Sequence, residues 1–254
     1  MVCQFEAMVC QFGKKKQDIN ILDSTSNSYR TAEALMTVRA SLLATVTGVV
    51  TLAFLILDPT LEGQEAKALL NPAALTEQAL AKFNVKVDTS VGEFVVEVQR
   101  DWAPLGADRF YNLVKNGFFD GQRFFRVTEN FAQFGIHGQP EVAKAWLRAR
   151  IPDEDLGRPK QSNRRGTLSF LQAGGRRTQM FINLTDNPVM DEQCAPFGMV
   201  SSGMNVVARL YAGYGEPAPT GKGPLMTPML EHGNSYLEKE FPRLDYIKTA
   251  RVVP

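Results

Sequence analysis

Three cysteines, two histidines and two tryptophans are all that 254 residues contain of these types. Cys3, Cys10 and Cys194 are too few, and odd in number, to staple a disulfide framework. A chain of this length buries a core large enough to fold without such bridges, so their scarcity leaves the compartment open. With only His137 and His232, a His/Cys zinc cluster is not expected, and no metal is assigned. An excess of charge is missing as well. Twenty-eight basic residues face 27 acidic ones, a formal net charge of +1. Nothing in that balance asks for nucleic acid or an acidic partner. What the chain does have is a hydrophobic fraction of 44%, enough for one good-sized domain plus an extension.

Residues 1–39 read as a polar tail, with the short repeat MVCQF at 1–5 and 8–12 and a basic run at Lys14, Lys15 and Lys16. The repeat is too short to be a structural unit. Residues 40–57, ASLLATVTGVVTLAFLIL, carry no charge. As a helix they span about 27 Å, close to the ~30 Å of a bilayer core. A buried core helix usually keeps a polar stripe, and this run is apolar on every face. A cleaved signal peptide is the competing reading. Against it stand the long preceding region, an apolar run longer than a signal core, and Asp58-Pro59-Thr60 where small residues would be needed. The expectation is a single uncleaved transmembrane helix. Lys14, Lys15, Lys16, Arg30 and Arg39 precede it, while Asp58, Glu62 and Glu65 follow. The positive-inside rule then puts the N-terminus in the cytosol and the rest of the chain in a lumenal or extracytoplasmic space. Residues 58–82 read as a linker with a short helix at 72–81.

From Phe83 the period changes. Phe83-Asn84-Val85-Lys86-Val87 alternates, as does Phe94-Val95-Val96-Glu97-Val98, with a turn at 90–92 between them: a β-hairpin. Residues 106–116 put Phe110, Leu113 and Val114 on one helical face, with Gly117 as a stop. Further strands are expected at 123–127, 167–172, 179–184, 197–200 and 246–252, and a second helix at 203–212. Many strands, two helices and no βαβ alternation predict a mainly β domain over 83–254: a closed antiparallel barrel capped by two helices.

Several segments, in order, resemble the cyclophilin-type peptidyl-prolyl cis/trans isomerases. ADRFYNLVKNGFFD at 107–120 is similar to the family's first helix and its exit. FFRV at 124–127 resembles FHRV, with Phe125 in place of the histidine. FAQFG at 131–135 resembles the stretch that supplies an aromatic and a glutamine. GTLSFLQA at 166–173, TQMFI at 178–182 and PFGMV at 196–200 followed by GMNVV at 203–207 resemble later blocks. Each motif is weak alone; six in order are specific, over about 170 residues. The tail, including Tyr214-Gly215-Glu216 and FPRLDYIKTA at 241–250, resembles a bacterial-like or algal-like branch.

The resemblance implies an enzyme that needs no nucleophile, metal or cofactor. An X-Pro bond turns slowly because rotation breaks amide resonance, a barrier of ~18–20 kcal/mol. A donor aimed at the prolyl nitrogen lowers it, since the lone pair localises there as the bond twists. Arg126 falls on the family's catalytic arginine, and its fixed charge and forked donors suit the task. Gln133 would hold a substrate carbonyl, and Phe131 and Phe181 would form the proline slot. Gln172 and Ala173 would contact the residue before proline. Met180 stands for the usual aromatic, Val189 for the tryptophan that many members use to bind cyclosporin, and Cys194 for a pocket histidine; Met190 adjoins Val189. The spacing from Arg126 to Gln133 is one residue short of the usual, and a shortened loop at 174–178 carries Arg176 and Arg177. These departures predict a shallower slot, weak cyclosporin binding and reduced turnover.

Asn183-Leu184-Thr185 is an N-glycosylation sequon, but it ends an expected core strand, which argues for a buried, unmodified Asn183. His137 lies in a loop with no partner to make it a base. Three functions follow: a membrane-tethered isomerase acting on proline-containing peptides or proteins, a retired binding domain serving as an accessory subunit of a membrane protein complex, and a secreted soluble isomerase.

Overall fold

Alternation of apolar residues builds the scaffold. In a computed structural model, residues 67–154, 161–172 and 175–254 are described, all within the compact unit Pro59–Pro254. Strand β1 (Lys82–Thr89) turns inward Phe83, Val85 and Val87, and β2 (Gly92–Gln99) turns inward Phe94, Val96 and Val98. The pair closes at Thr89↔Gly92. Gly92 has φ 129°, a value that L side chains rarely adopt.

Helix α1 (Pro104–Lys115) follows, started by a proline whose missing N–H costs nothing there. It buries Ala107, Phe110, Leu113 and Val114. Its N-terminal residue Ala103 offers no cap. Glu154 does so instead, its carboxylate accepting from the N–H of Gly106 (2.8 Å) and Leu105 (3.4 Å), where the helix dipole favours negative charge. Arg176 closes on the same carboxylate at 3.0 Å, both side chains being buried. The Arg109 guanidinium nearby is pushed down to about 10 by burial and by the charge of Arg176.

The remaining strands are β3 (Arg126–Val127), β4 (Phe131–Phe134), β5 (Thr167–Phe170), β6 (Met180–Asn183), β7 (Pro196–Ser202) and β8 (Ile247–Val253). All eight join one sheet in the order β3-β4-β6-β5-β7-β2-β1-β8, every neighbouring pair antiparallel. The sheet is curled around a core that includes Phe110, Phe119, Phe134, Phe170 and Phe197. The expected closed barrel is corrected in one respect. The end strands β3 and β8 form no ladder with each other, because β3 is only two residues long. A seam joins the segment before β3 to the start of β8 instead: Gly121 N–H to Ile247 O, Ile247 N–H to Gln122 O and Phe124 N–H to Asp245 O, at 2.8 to 2.9 Å.

Other expectations are corrected too. After α1 the described residues include the short helices α2 (Pro140–Trp146), α3 (Met204–Val207), α4 (Met226–His232) and α5 (Asn234–Glu240). The helix expected at 203–212 is thus the four-residue α3. The one expected at 72–81 is only a 3-10 turn at Pro72–Ala74. Beyond it, α1 satisfies the backbone from the side. Asn112 accepts from Glu77 N–H (3.1 Å) and donates to Glu77 O (2.6 Å), while Asp108 accepts from Ala79 N–H (2.8 Å). Those side chains supply what helix hydrogen bonds would have supplied.

Helices α4 and α5 make a second, smaller core. Met229, Leu237 and Leu244 bury Phe125, with Tyr214, Tyr236 and Phe241 packed around them. The phenylalanine in the FFRV segment therefore anchors the C-terminal extension. The expected span at 40–57 lies outside the described residues, as do the tail before it and residues 58–66 of the linker. Among the described residues no helix is long and apolar enough to cross a membrane.

Candidate active site

Period-two alternation decides which residues meet. On β3, β4, β5 and β6, the side chains of Val127, Ala132, Phe134, Leu168, Phe170, Met180 and Ile182 enter the core. Their neighbours Arg126, Phe131, Gln133 and Phe181 take the other face. Register then aligns them: Arg126 lies opposite Gln133, and Gln133 opposite Phe181. The rings of Phe131 and Phe181 sit 5.7 Å apart at 58°. The Arg126 guanidinium carbon lies 4.7 Å above the Phe131 ring. The result is a half-buried cation beside an aromatic wall.

Three of the five N–H bonds of a guanidinium are committed in Arg126. Nε and Nη2 donate to the two oxygens of Glu216, each at 2.8 Å. Nη1 donates to Gln133 Oε1 at 3.0 Å. One N–H on each terminal nitrogen is left to meet a substrate. Gln133 Nε2 in turn donates to Gln179 Oε1 at 2.9 Å, which fixes the amide orientation. The Arg126 and Glu216 side chains keep 27% and 39% of their exposure, so the pair contributes no more than about 1 kcal/mol to stability. Its consequence is orientation.

The other expected site residues differ in burial. Met180 is wholly buried in the core, on the opposite face of β6 from Phe181. Val189 stands 77% exposed on the 3-10 turn Pro188–Met190, and Met190 is half-buried. Gln172 is half-buried. Cys194 is buried, and burial pushes its thiol up, so it is a poor nucleophile. Ala173 lies outside the described residues. Arg176 of the shortened loop is structural, through Glu154.

Beside the aromatic wall lies a buried polar cluster. Asn163 Nδ2 donates to Asp191 Oδ1 (3.0 Å) and to Cys194 O (2.8 Å). Its Oδ1 accepts from Ser169 Oγ (2.8 Å) and Asn183 Nδ2 (3.1 Å). Ser169 pairs with Phe181, and Asn183 with Phe131, so this cluster flanks both rings on the same face of the sheet. Asn183 is fully buried with its amide committed, in keeping with an unmodified sequon. Residue-by-residue reading missed Glu216, Gln179 and Asn163. Glu216 comes from a loop 90 positions away in sequence, and no local pattern links it to Arg126.

Residues 84–226 match the model of the cyclophilin type peptidyl-prolyl cis-trans isomerase family. A peptidyl-prolyl cis-trans isomerase-like 1 of Rhizopus delemar is 36% identical over 130 residues, 50% of this chain and 78% of that one. A peptidyl-prolyl cis-trans isomerase of Acinetobacter baylyi is 31% identical over 150 residues, 56% of this chain and 79% of that one. In fold, a cyclophilin type isomerase of Cryptosporidium parvum superposes with a TM-score of 0.50 at 16% identity, covering 68% of this chain and 98% of that one. The family match covers more than half of the chain, and its named relatives are isomerases: the protein belongs to the cyclophilin-type peptidyl-prolyl cis-trans isomerases.

Proposed function

We propose that the chain isomerises X-Pro bonds of peptides or folding proteins, with Arg126 as the donor to the prolyl nitrogen. The observation that carries the reading is the shared face of Arg126, Phe131, Gln133 and Phe181. The proline ring packs against Phe131 and Phe181. As the C–N bond twists, its nitrogen becomes pyramidal and its lone pair becomes an acceptor. One of the two terminal N–H bonds of Arg126 left over from Glu216 and Gln133 meets it there and not in the planar ground state. Gln133 holds a flanking carbonyl, and Gln172 and Ala173 would contact the residue before proline. Val189 and Met190 form an open edge of the slot, while Met180 and Cys194 act only as packing behind it. No metal or cofactor takes part in these steps. A hydrogen bond from a charged donor is worth about 1.5–3 kcal/mol, so Arg126→Ala is expected to lower kcat/KM roughly 10- to 100-fold. The assay is cis/trans exchange of an X-Pro peptide by the full chain; equal rates for variant and wild type refute the role.

The isomerase is tethered to a membrane by residues 40–57, its N-terminus cytosolic and its domain on the far side. The charge-free run and the basic residues before it support this. Release by alkaline carbonate, or digestion of the domain by protease from the cytosolic side, would contradict it. A second reading is a catalytically weak domain serving as an accessory subunit of a membrane complex. Its support is the altered slot, with Val189 exposed and Met180 turned into the core. Co-purification in fixed stoichiometry without isomerase activity would favour it.

A further inference from the structure

The carboxylate on Arg126 is delivered by a built loop. Tyr214 stacks edge-on against Tyr211 and Phe241, both at 5.1 Å, and so is pinned to the same small core that buries Phe125, the residue before Arg126. From Tyr214 the chain turns back on itself. Lys222 N–H donates to Tyr214 O (3.0 Å), Gly223 N–H to Glu216 O (2.8 Å) and Gly221 N–H to Pro217 O (3.1 Å). A side chain at Gly221 would collide with the Glu216 carbonyl oxygen, so the glycine allows the close approach. The backbone of Glu216 is therefore held from both sides, and its carboxylate meets the Nε/Nη2 edge of Arg126 in the bidentate geometry that fixes a guanidinium plane.

From this we propose that Glu216 is a positioning residue for the isomerase, orienting Arg126 through the Tyr214–Gly223 loop; the inference rests on Arg126 being the donor. An arginine side chain has four rotatable bonds, and on a two-residue edge strand little else restrains it. Gln133 holds one nitrogen and the Phe131 face holds the plane from below. Glu216 removes the remaining rotation about the end of the side chain. It also spends the Nε–H, so that the N–H bonds left over are the terminal ones, which lie farthest from the backbone. The Phe125 in place of a polar residue, and the extension it anchors, acquire a shared purpose: they carry the carboxylate to the arginine.

Four full-length proteins test this: wild type, E216Q, R126A and the double variant R126A/E216Q. Displacing a reacting group by about an ångström can cost up to roughly 100-fold; losing one of two tethers is expected to lower kcat about 10-fold by the same argument, with KM changed less than about 2-fold. In the double variant the Glu216 substitution is expected to add no loss to that of R126A, which a merely structural effect would. In wild type the Arg126 Nε–H signal in the NMR spectrum should be resolved and slow to exchange with water, and in E216Q it should broaden or vanish. An unchanged or raised kcat in E216Q with R126A impaired overturns the positioning role and makes the carboxylate a spectator or a brake. Equal losses from E216Q in both backgrounds overturn it as well. If R126A matches wild type, the donor assignment fails first and the positioning role falls with it.

Discussion

Replacing Asn163 by alanine is expected to destabilise the domain by about 3 kcal/mol, a value that follows from which partners are stranded. Asn163 is fully buried and makes four side-chain hydrogen bonds. Two partners keep other contacts. Asp191 still accepts from Ser162 Oγ (2.7 Å) and from the Asn163 backbone N–H (2.6 Å), and Asn183 Nδ2 still donates to Thr167 Oγ1 (3.0 Å). Two do not: the Cys194 carbonyl loses its Asn163 donor, and the buried Ser169 hydroxyl loses its acceptor. A buried polar group left unsatisfied costs about 1–3 kcal/mol, and the small cavity adds to this. At ~2–4 °C per kcal/mol for a domain of this size, the melting temperature should fall roughly 6–12 °C. Urea unfolding followed through the fluorescence of buried Trp146 reads the change directly, with the midpoint lowered and the slope m retained. A loss below about 1 kcal/mol would refute the reasoning, since it would mean that water or a rearrangement satisfies both stranded groups.

Two further outcomes are expected. Glu154→Gln takes the closer, buried carboxylate from Arg176 and removes the negative charge from the start of α1, so a loss of about 2–4 kcal/mol in thermal or urea unfolding should follow; a neutral effect would show that the Pro152 carbonyl and the exposed Asp153 carboxylate, 3.9 Å away, suffice for the arginine. His137 is buried against Phe118, and burial holds its pKa below the ordinary value of 6.5. Above that value the imidazole is neutral in both states. As pH falls through it the unfolded chain takes the proton first, so stability is lost with a slope of up to ~1.4 kcal/mol per pH unit. His137→Gln should flatten the difference between urea midpoints at neutral and mildly acidic pH, and an unaltered difference would count against the assignment.

Much of this architecture was legible because β1, β2 and α1 carry clean periodicities, period two in Phe83-Val85-Val87 and Phe94-Val96-Val98, and a helical face in Phe110-Leu113-Val114. The short strands β3, β5, β6 and β7 also fall where strands were expected, whereas β4, α2, α4 and α5 were not expected. β4 is four residues whose neighbours supply its partners, and α4 and α5 pack on a core whose other wall, Phe125, lies about a hundred positions earlier. The helix expected at 72–81 gave way to competition: Asn112 and Asp108 bind the backbone of Glu77 and Ala79 from the side. In the site, Arg126, Phe131, Gln133 and Phe181 came together because resemblance and alternation agree on them. Met180 shows where alternation outranks resemblance, since it adjoins Phe181 on one strand and so must face the other way. Glu216 was beyond reach, because an ion pair between distant loops leaves no mark on local pattern.

The unequal ends of the curled sheet bear on how this chain avoids its own copies. A free strand edge is a template for another chain, and proteins blunt it by shortness, charge or cover. At one end β3 is two residues long and lies under the C-terminal extension, too brief to template anything. At the other, β8 runs for seven residues but exposes Lys248 and Arg251, each drawn to an acidic partner on a neighbouring segment. A nascent strand that tried to extend the sheet there would have to displace charge. The chain thus handles unfolded proteins, in the reading proposed here, with both of its own sheet margins made unattractive to them.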